Sequence, residues 1–114
     1  MPNPKVTAAP QVRRSLTDII YVVAEHYGIS PSELLGRSRL KSVAQARAVA
    51  YALARDITPT SLPEIGDVFG RDHTTVMVVV QDLAKRATKD EPLARSIAVC
   101  RSRALATIAA RRMV

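Results

Sequence analysis

Ser61-Leu62-Pro63-Glu64-Ile65-Gly66-Asp67-Val68-Phe69-Gly70-Arg71-Asp72-His73-Thr74-Thr75-Val76-Met77-Val78-Val79-Val80 is the stretch on which the fold turns. Val76 to Val80 is apolar and mostly β-branched, as a buried strand would be. Its surroundings decide for helix. Ser61 with Glu64 three positions on is a capping box, with Pro63 inside the first turn. Ile65, Val68 and Phe69 then form one apolar face, and Gly70 ends it. Asp72 can cap a second helix, in which Val76, Val79, Val80, Leu83 and Ala87 keep a 3.6-residue period to about Thr88. No other run in the chain offers a partner strand. Two helices joined by a short glycine turn, over about 61–88, have the form of a helix-turn-helix.

The flanking sequence carries similar punctuation. Ser15 with Asp18 resembles a capping box, followed by Leu16, Ile19, Ile20, Val23 and Tyr27 at helical spacing and by Gly28 as a stop. Ser30-Pro31-Ser32-Glu33 opens a short helix to about Leu35, stopped by Gly36. A basic loop, Arg37 to Lys41, comes next. Ser42 begins an alanine-rich helix to about Ile57, whose Ala44, Ala46, Ala48, Ala50, Ala52 and Ala54 permit close backbone approach; Thr58-Pro59-Thr60 breaks it. Asp90-Glu91-Pro92 starts a last helix with Leu93, Ile97, Cys100, Ala104 and Ile108 on one stripe. Residues 1–12, with Pro2, Pro4 and Pro10, are expected to be a flexible arm, and residues 13–114 a single helical domain. The predicted fold is all-α, with about six helices and no internal repeat. A chain of 114 residues has room for one such domain. At 47% hydrophobic and 24% charged it should fold rather than stay disordered.

Seventeen Lys and Arg against ten Asp and Glu leave a net charge of +7. That field favours polyanions, and most of the basic residues are arginine, whose planar fork suits phosphates and guanine edges. Three Tyr and one Phe are too few for a base-stacking platform, so duplex DNA is the better candidate than single strands. With Val76, Val79, Val80 and Leu83 turned inward, Thr74, Val78, Gln81 and Lys85 turn outward. His73 and Thr75 fall in the first turn, beside free backbone N–H groups that favour phosphate. Val78 is compatible with a thymine methyl, and Lys85 adds charge further along the same face.

The segment Ser61 to Val76 resembles the signature of the DnaA C-terminal DNA-binding domain (domain IV) family. Ser42-Val43-Ala44, with Ala46-Arg47 and Ala52-Leu53-Ala54-Arg55, is similar to the helix that precedes it in that family. The resemblance covers roughly residues 15–90 and implies a Trp-repressor-like helical fold that binds duplex DNA at asymmetric nonamer sites, the DnaA boxes. It assigns base and phosphate contacts in the major groove to Asp72, His73, Thr74 and Thr75, and minor-groove insertion to Arg39 of the basic loop. Arg47 matches a base-reading arginine. Lys41, Arg55, Leu62 and Pro63 fall at phosphate-contacting positions, and Arg37 belongs to the same basic loop. The chain also departs from the family pattern. One glycine stands before Arg71 where two are usual; Met77, Val78, Val79 and Asp82 stand where the family tends to Leu-His-Ala and a later basic residue, and Gln45 and Ala48 replace residues that are often basic or polar. A tight Gly70–Arg71–Asp72 turn and a preferred site related but not identical to the DnaA box are therefore expected.

Other function classes find little support. No Ser/His/Asp set or carboxylate pair suggests catalysis, so an enzyme is not expected. His26 and Cys100 read as structural, and two histidines and one cysteine, widely spaced, make no metal site. No cofactor is expected: the G-x-x-x-x-G-K-[ST] loop of an ATPase is absent. Met1 and the basic last helix favour a stand-alone protein over an excised domain. No run of apolar residues is long enough to span a membrane, and the start lacks a signal-peptide core. The expected setting is the bacterial cytoplasm, at the nucleoid. The leading role is regulation of replication initiation or transcription, without ATP-driven melting, and partners beyond DNA would be an initiator or other replication proteins. A second reading is a protein-interaction module that binds an initiator or helicase component and has lost specific DNA reading. The basic last helix (Arg101, Arg103, Arg111, Arg112) is open to DNA, a second subunit or a membrane surface.

Overall fold

The computed structural model describes residues 10–113. Six helices follow in order: α1 Pro10–Tyr27, α2 Pro31–Leu35, α3 Lys41–Ile57, α4 Leu62–Phe69, α5 His73–Ala87 and α6 Glu91–Arg112. No strand occurs among the described residues. The caps explain most of the boundaries. Ser30 and Ser61 each form the reciprocal capping box with Glu33 and Glu64, and the Asp90 carboxylate accepts from the Leu93 N–H.

Two starts differ from the sequence expectation. α1 begins at Pro10, so residues 10–12, assigned above to the arm, are helical; residues 1–9 of that arm lie outside the described residues. Proline is well suited to a first helical position. Ser15 is thus interior, its hydroxyl donating to the Gln11 carbonyl at 3.0 Å, and caps nothing. Asp18 is buried and accepts two hydrogen bonds from the Arg111 guanidinium of α6, at 3.0 and 2.5 Å. α3 starts at Lys41 with Leu40 before it, and Ser42 is not its cap.

α3 is the central element and packs against all five other helices. Ala46, Ala48, Ala50 and Ala54 are buried there beside Val43, Val49 and Leu53, so small side chains occupy the positions where several helices meet. α1 and α6 close one side of it, through Leu16, Ile19 and Val23 and through Leu93, Cys100 and Ala104. α4 and α5 pack on another, where the Tyr51 and Phe69 rings meet edge to face at 4.8 Å. No described helix is long and apolar enough to cross a membrane.

Candidate nucleic-acid interface

The α4–α5 joint is built from two glycines and an aspartate. Gly70 takes a left-handed conformation (φ 65°), and the Arg71 N–H reaches back to the Gly66 carbonyl at 2.7 Å, closing α4 with a Schellman-type turn. Gly66 is required by contact: a Cβ there would lie 2.4 Å from the Arg71 carbonyl oxygen and 3.3 Å from the His73 nitrogen. The chain therefore doubles back directly onto α4. One residue, Arg71, separates Gly70 from the Asp72 cap, whose carboxylate accepts from the Thr74 N–H at 3.2 Å. The single-glycine turn is accommodated as the sequence implied.

That joint aims α5. Val76 and Leu83 are buried, and Val79 and Val80 are half-buried against the core. Thr74, Val78, Gln81 and Lys85 are exposed along the opposite stripe, as are His73 and Thr75 in the first turn. His73 Nδ1 lies 3.2 Å from an Asp72 carboxylate oxygen, which orients the ring.

The basic loop is tied to this joint. Arg37 and Arg39 are exposed and line, with Ser38, Ala44, Arg47 and Arg71, a polar concavity of about 410 Å³. A second groove of about 460 Å³ runs between α3 and α5, and Lys41 and Val78 both line it. Gln45, Ala48, Val79 and Asp82 line it too, so several of the expected departures from the family pattern share one surface. The Gln45 amide donates to the Tyr27 hydroxyl at 3.1 Å. Arg55 is exposed in the last turn of α3, and Leu62 (half-buried) and Pro63 (exposed) form the first turn of α4.

Arg47 is the exception. It is buried, and its guanidinium donates to the carbonyls of Leu34 (2.9 Å), Gly36 (2.9 Å), Ser38 (3.3 Å) and Glu33 (3.5 Å). Loss of solvation holds its pKa below the ordinary arginine value. The donors that would read a base are spent on the open carbonyls at the end of α2. Arg47 clamps the end of α2 here, an arrangement that runs against the base-reading role the resemblance implied. The residue the sequence reading passed over is Arg71, which donates to the Gly36 carbonyl at 2.9 Å and to the Phe69 carbonyl at 3.0 Å. Its position between a capping glycine and a capping aspartate was the available signal. Three arginines of α6 are engaged in ion pairs: Arg101, Arg103 and Arg111 pair with Asp56, Glu25 and Asp18.

Comparison with known proteins agrees with this geometry. The family model of the bacterial DnaA protein helix-turn-helix matches residues 16–83. The chain is 40% identical over 98 residues to the chromosomal replication initiator protein DnaA of Deinococcus radiodurans, and 47% identical over 74 residues to that of Thermus thermophilus. Those alignments take in 86% and 64% of this chain but 21% and 17% of the relatives, so the chain spans about a fifth of their length. A solved structure of a DNA replication initiation factor aligns with a TM-score of 0.77 at 27% identity, over 86% of this chain and 30% of that one.

Proposed function

The chain belongs to the bacterial DnaA helix-turn-helix family, and from that premise we propose that it binds duplex DNA at sites related to the DnaA box. α5 enters the major groove with His73, Thr74, Thr75 and Val78 toward the bases, and Asp72 holds His73 and the helix end in register. Arg39, with Arg37 beside it, reaches the adjacent minor groove, where narrow A·T-rich sequence concentrates negative potential. Lys41, Arg55 and Lys85, and the backbone at Leu62 and Pro63, contact phosphates. The observation that carries this reading is the exposed first turn of α5 beside a basic loop hydrogen-bonded to the same joint. The proposed role is occupancy of such sites to regulate replication initiation or transcription, with an initiator or other replication proteins as the further partners.

A gel shift with a boxed duplex against a scrambled one of equal composition tests the reading. Preferential binding of the boxed duplex is expected. Equal binding to both would remove the sequence-specific role, and no binding to either would favour the protein-interaction module. The convergence of Gln45, Ala48 and Val78 on one groove supports a preference shifted from the family site, which selection from random duplexes would display.

A further inference from the structure

We propose that Arg71 is a positioning residue that fixes the distance between the two DNA-reading parts, the basic loop and the recognition helix. This rests on the DNA-binding reading above. The guanidinium spans two helix ends: Nη2 donates to the Gly36 carbonyl at the root of the basic loop, and Nη1 donates to the Phe69 carbonyl at the end of α4. Both acceptors are open carbonyls at the negative ends of helices, where a cation is favoured. The Gly36 oxygen also accepts from Arg47, so two arginines from different elements converge on one atom.

The placement of Arg71 in the chain turns this bridge into a coupling. Its own N–H bonds Gly66, and the next residue caps α5, so its backbone cannot move without moving the recognition helix. Its side chain holds a point 35 positions earlier in sequence, next to Arg37 and Arg39. The offset between minor-groove and major-groove elements is thereby set before DNA arrives, which spares the ordering cost of a free loop. An arginine is needed because one planar fork serves both carbonyls; a lysine ammonium keeps the charge without that fixed geometry.

The experiment measures binding of wild type, Arg71→Ala, Arg71→Lys, Arg39→Ala, Thr74→Ala and the double variants of Arg71→Ala with each of the last two. The probes are a boxed duplex and the same duplex with its terminal A·T pairs exchanged for G·C. Arg71→Ala is expected to weaken boxed binding by roughly tenfold and to lose most of the A·T preference, as Arg39→Ala does. The Arg71/Arg39 double variant should be no more than about twofold worse than Arg39→Ala alone, whereas the Arg71/Thr74 losses should multiply. Arg71→Lys should resemble Arg71→Ala. Global destabilisation does not produce that pattern, and if Arg71→Ala does not fold, the A·T preference of Arg71→Lys carries the test. Full multiplication of the Arg71 and Arg39 losses, or wild-type behaviour of Arg71→Lys, overturns the inference while leaving DNA binding intact. A wild type with no preference for the box overturns the proposed function and this inference with it.

Discussion

At the scale of single residues, Arg47 shows how burial reassigns a charged side chain. It lies on the same face of α3 as Val43, Ala50 and Ala54, all of them buried. A residue in that row is turned inward whatever its type, and the row was visible in the sequence. The acceptors were not, because they sit on the ends of α2 and the following loop, brought in by the fold. Arg47→Ala should therefore lower stability by about 2–3 kcal/mol, since buried carbonyls lose a charged donor. It should weaken boxed and random duplexes by similar factors, measured by urea unfolding and by gel shift. A loss confined to the boxed duplex would return Arg47 to base reading. Cys100 offers a second residue-level test. Burial pushes its thiol from an ordinary 9.0 up to about 11. The unfolded chain releases this proton near pH 9 and the folded protein holds it until about pH 11, so stability is full below that window and falls across it. The fall attributable to this group is about 2–3 kcal/mol. Cys100→Ala should show a correspondingly shallower decline between pH 9 and pH 11 in urea midpoints, because its other titrations are shared with wild type. Identical slopes would mean the thiol contributes nothing.

At the scale of elements, what was legible is what was local. Ser30/Glu33, Ser61/Glu64, Asp72 and Asp90 cap the helices that follow them, because a capping box needs residues three apart and nothing from elsewhere. Ser15 and Asp18 offered the same pattern and failed, because the helix already begins at Pro10 and leaves Ser15 interior, while Asp18 pairs with Arg111, 93 positions away. The earlier start rests on Pro10, and the Arg111 partner of Asp18 is one no local pattern announces. The exposed stripe of α5 was legible in the same way, from its period, while the Arg71 bridge needed two loops to meet. Gly66 belongs to this scale because it decides how closely α5 follows α4. Gly66→Ala places a methyl against backbone, which cannot swing aside as a side-chain tip can. The expected cost is about 1–3 kcal/mol by overpacking, with box preference reduced further as the joint opens. Thermal melts and gel shifts would check it; unchanged melting would mean the joint yields freely. The ties of α6 should rank by burial of the carboxylate. Arg111→Ala leaves the buried Asp18 without its cation and should lower the melting temperature more than Arg101→Ala or Arg103→Ala, whose partners are exposed.

At the scale of the whole molecule, the distribution of charge matters more than its sum. The +7 is not spread evenly. α6 begins beyond the residues matched by the family model, yet supplies Leu93, Cys100 and Ala104 to the core and pairs Arg101, Arg103 and Arg111 with carboxylates of α1 and α3. Those arginines fasten a helix, and their fields are offset locally. Arg37, Arg39, Lys41, Arg55 and Lys85 are exposed and enter no ion pair among the described residues. Unopposed positive charge therefore lies along the basic loop and the exposed stripe of α5, while other exposed cations such as Lys89 and Arg112 lie elsewhere on the surface. Counterion release then gives a quantitative expectation. If these side chains and the helix N-termini neutralise about 5–7 phosphates, log K against log salt should fall with a slope of about −4.5 to −6. Arg55→Ala or Lys85→Ala should each flatten that slope by about one unit, because each removes one phosphate contact. Arg101→Ala and Arg103→Ala should leave it unchanged although they remove the same formal charge, since their cations are already paired with Asp56 and Glu25. Fluorescence anisotropy across a salt series separates the cases. Equal flattening by all four variants would mean that net charge alone draws the protein to DNA, and that the asymmetry built by α6 plays no part in binding.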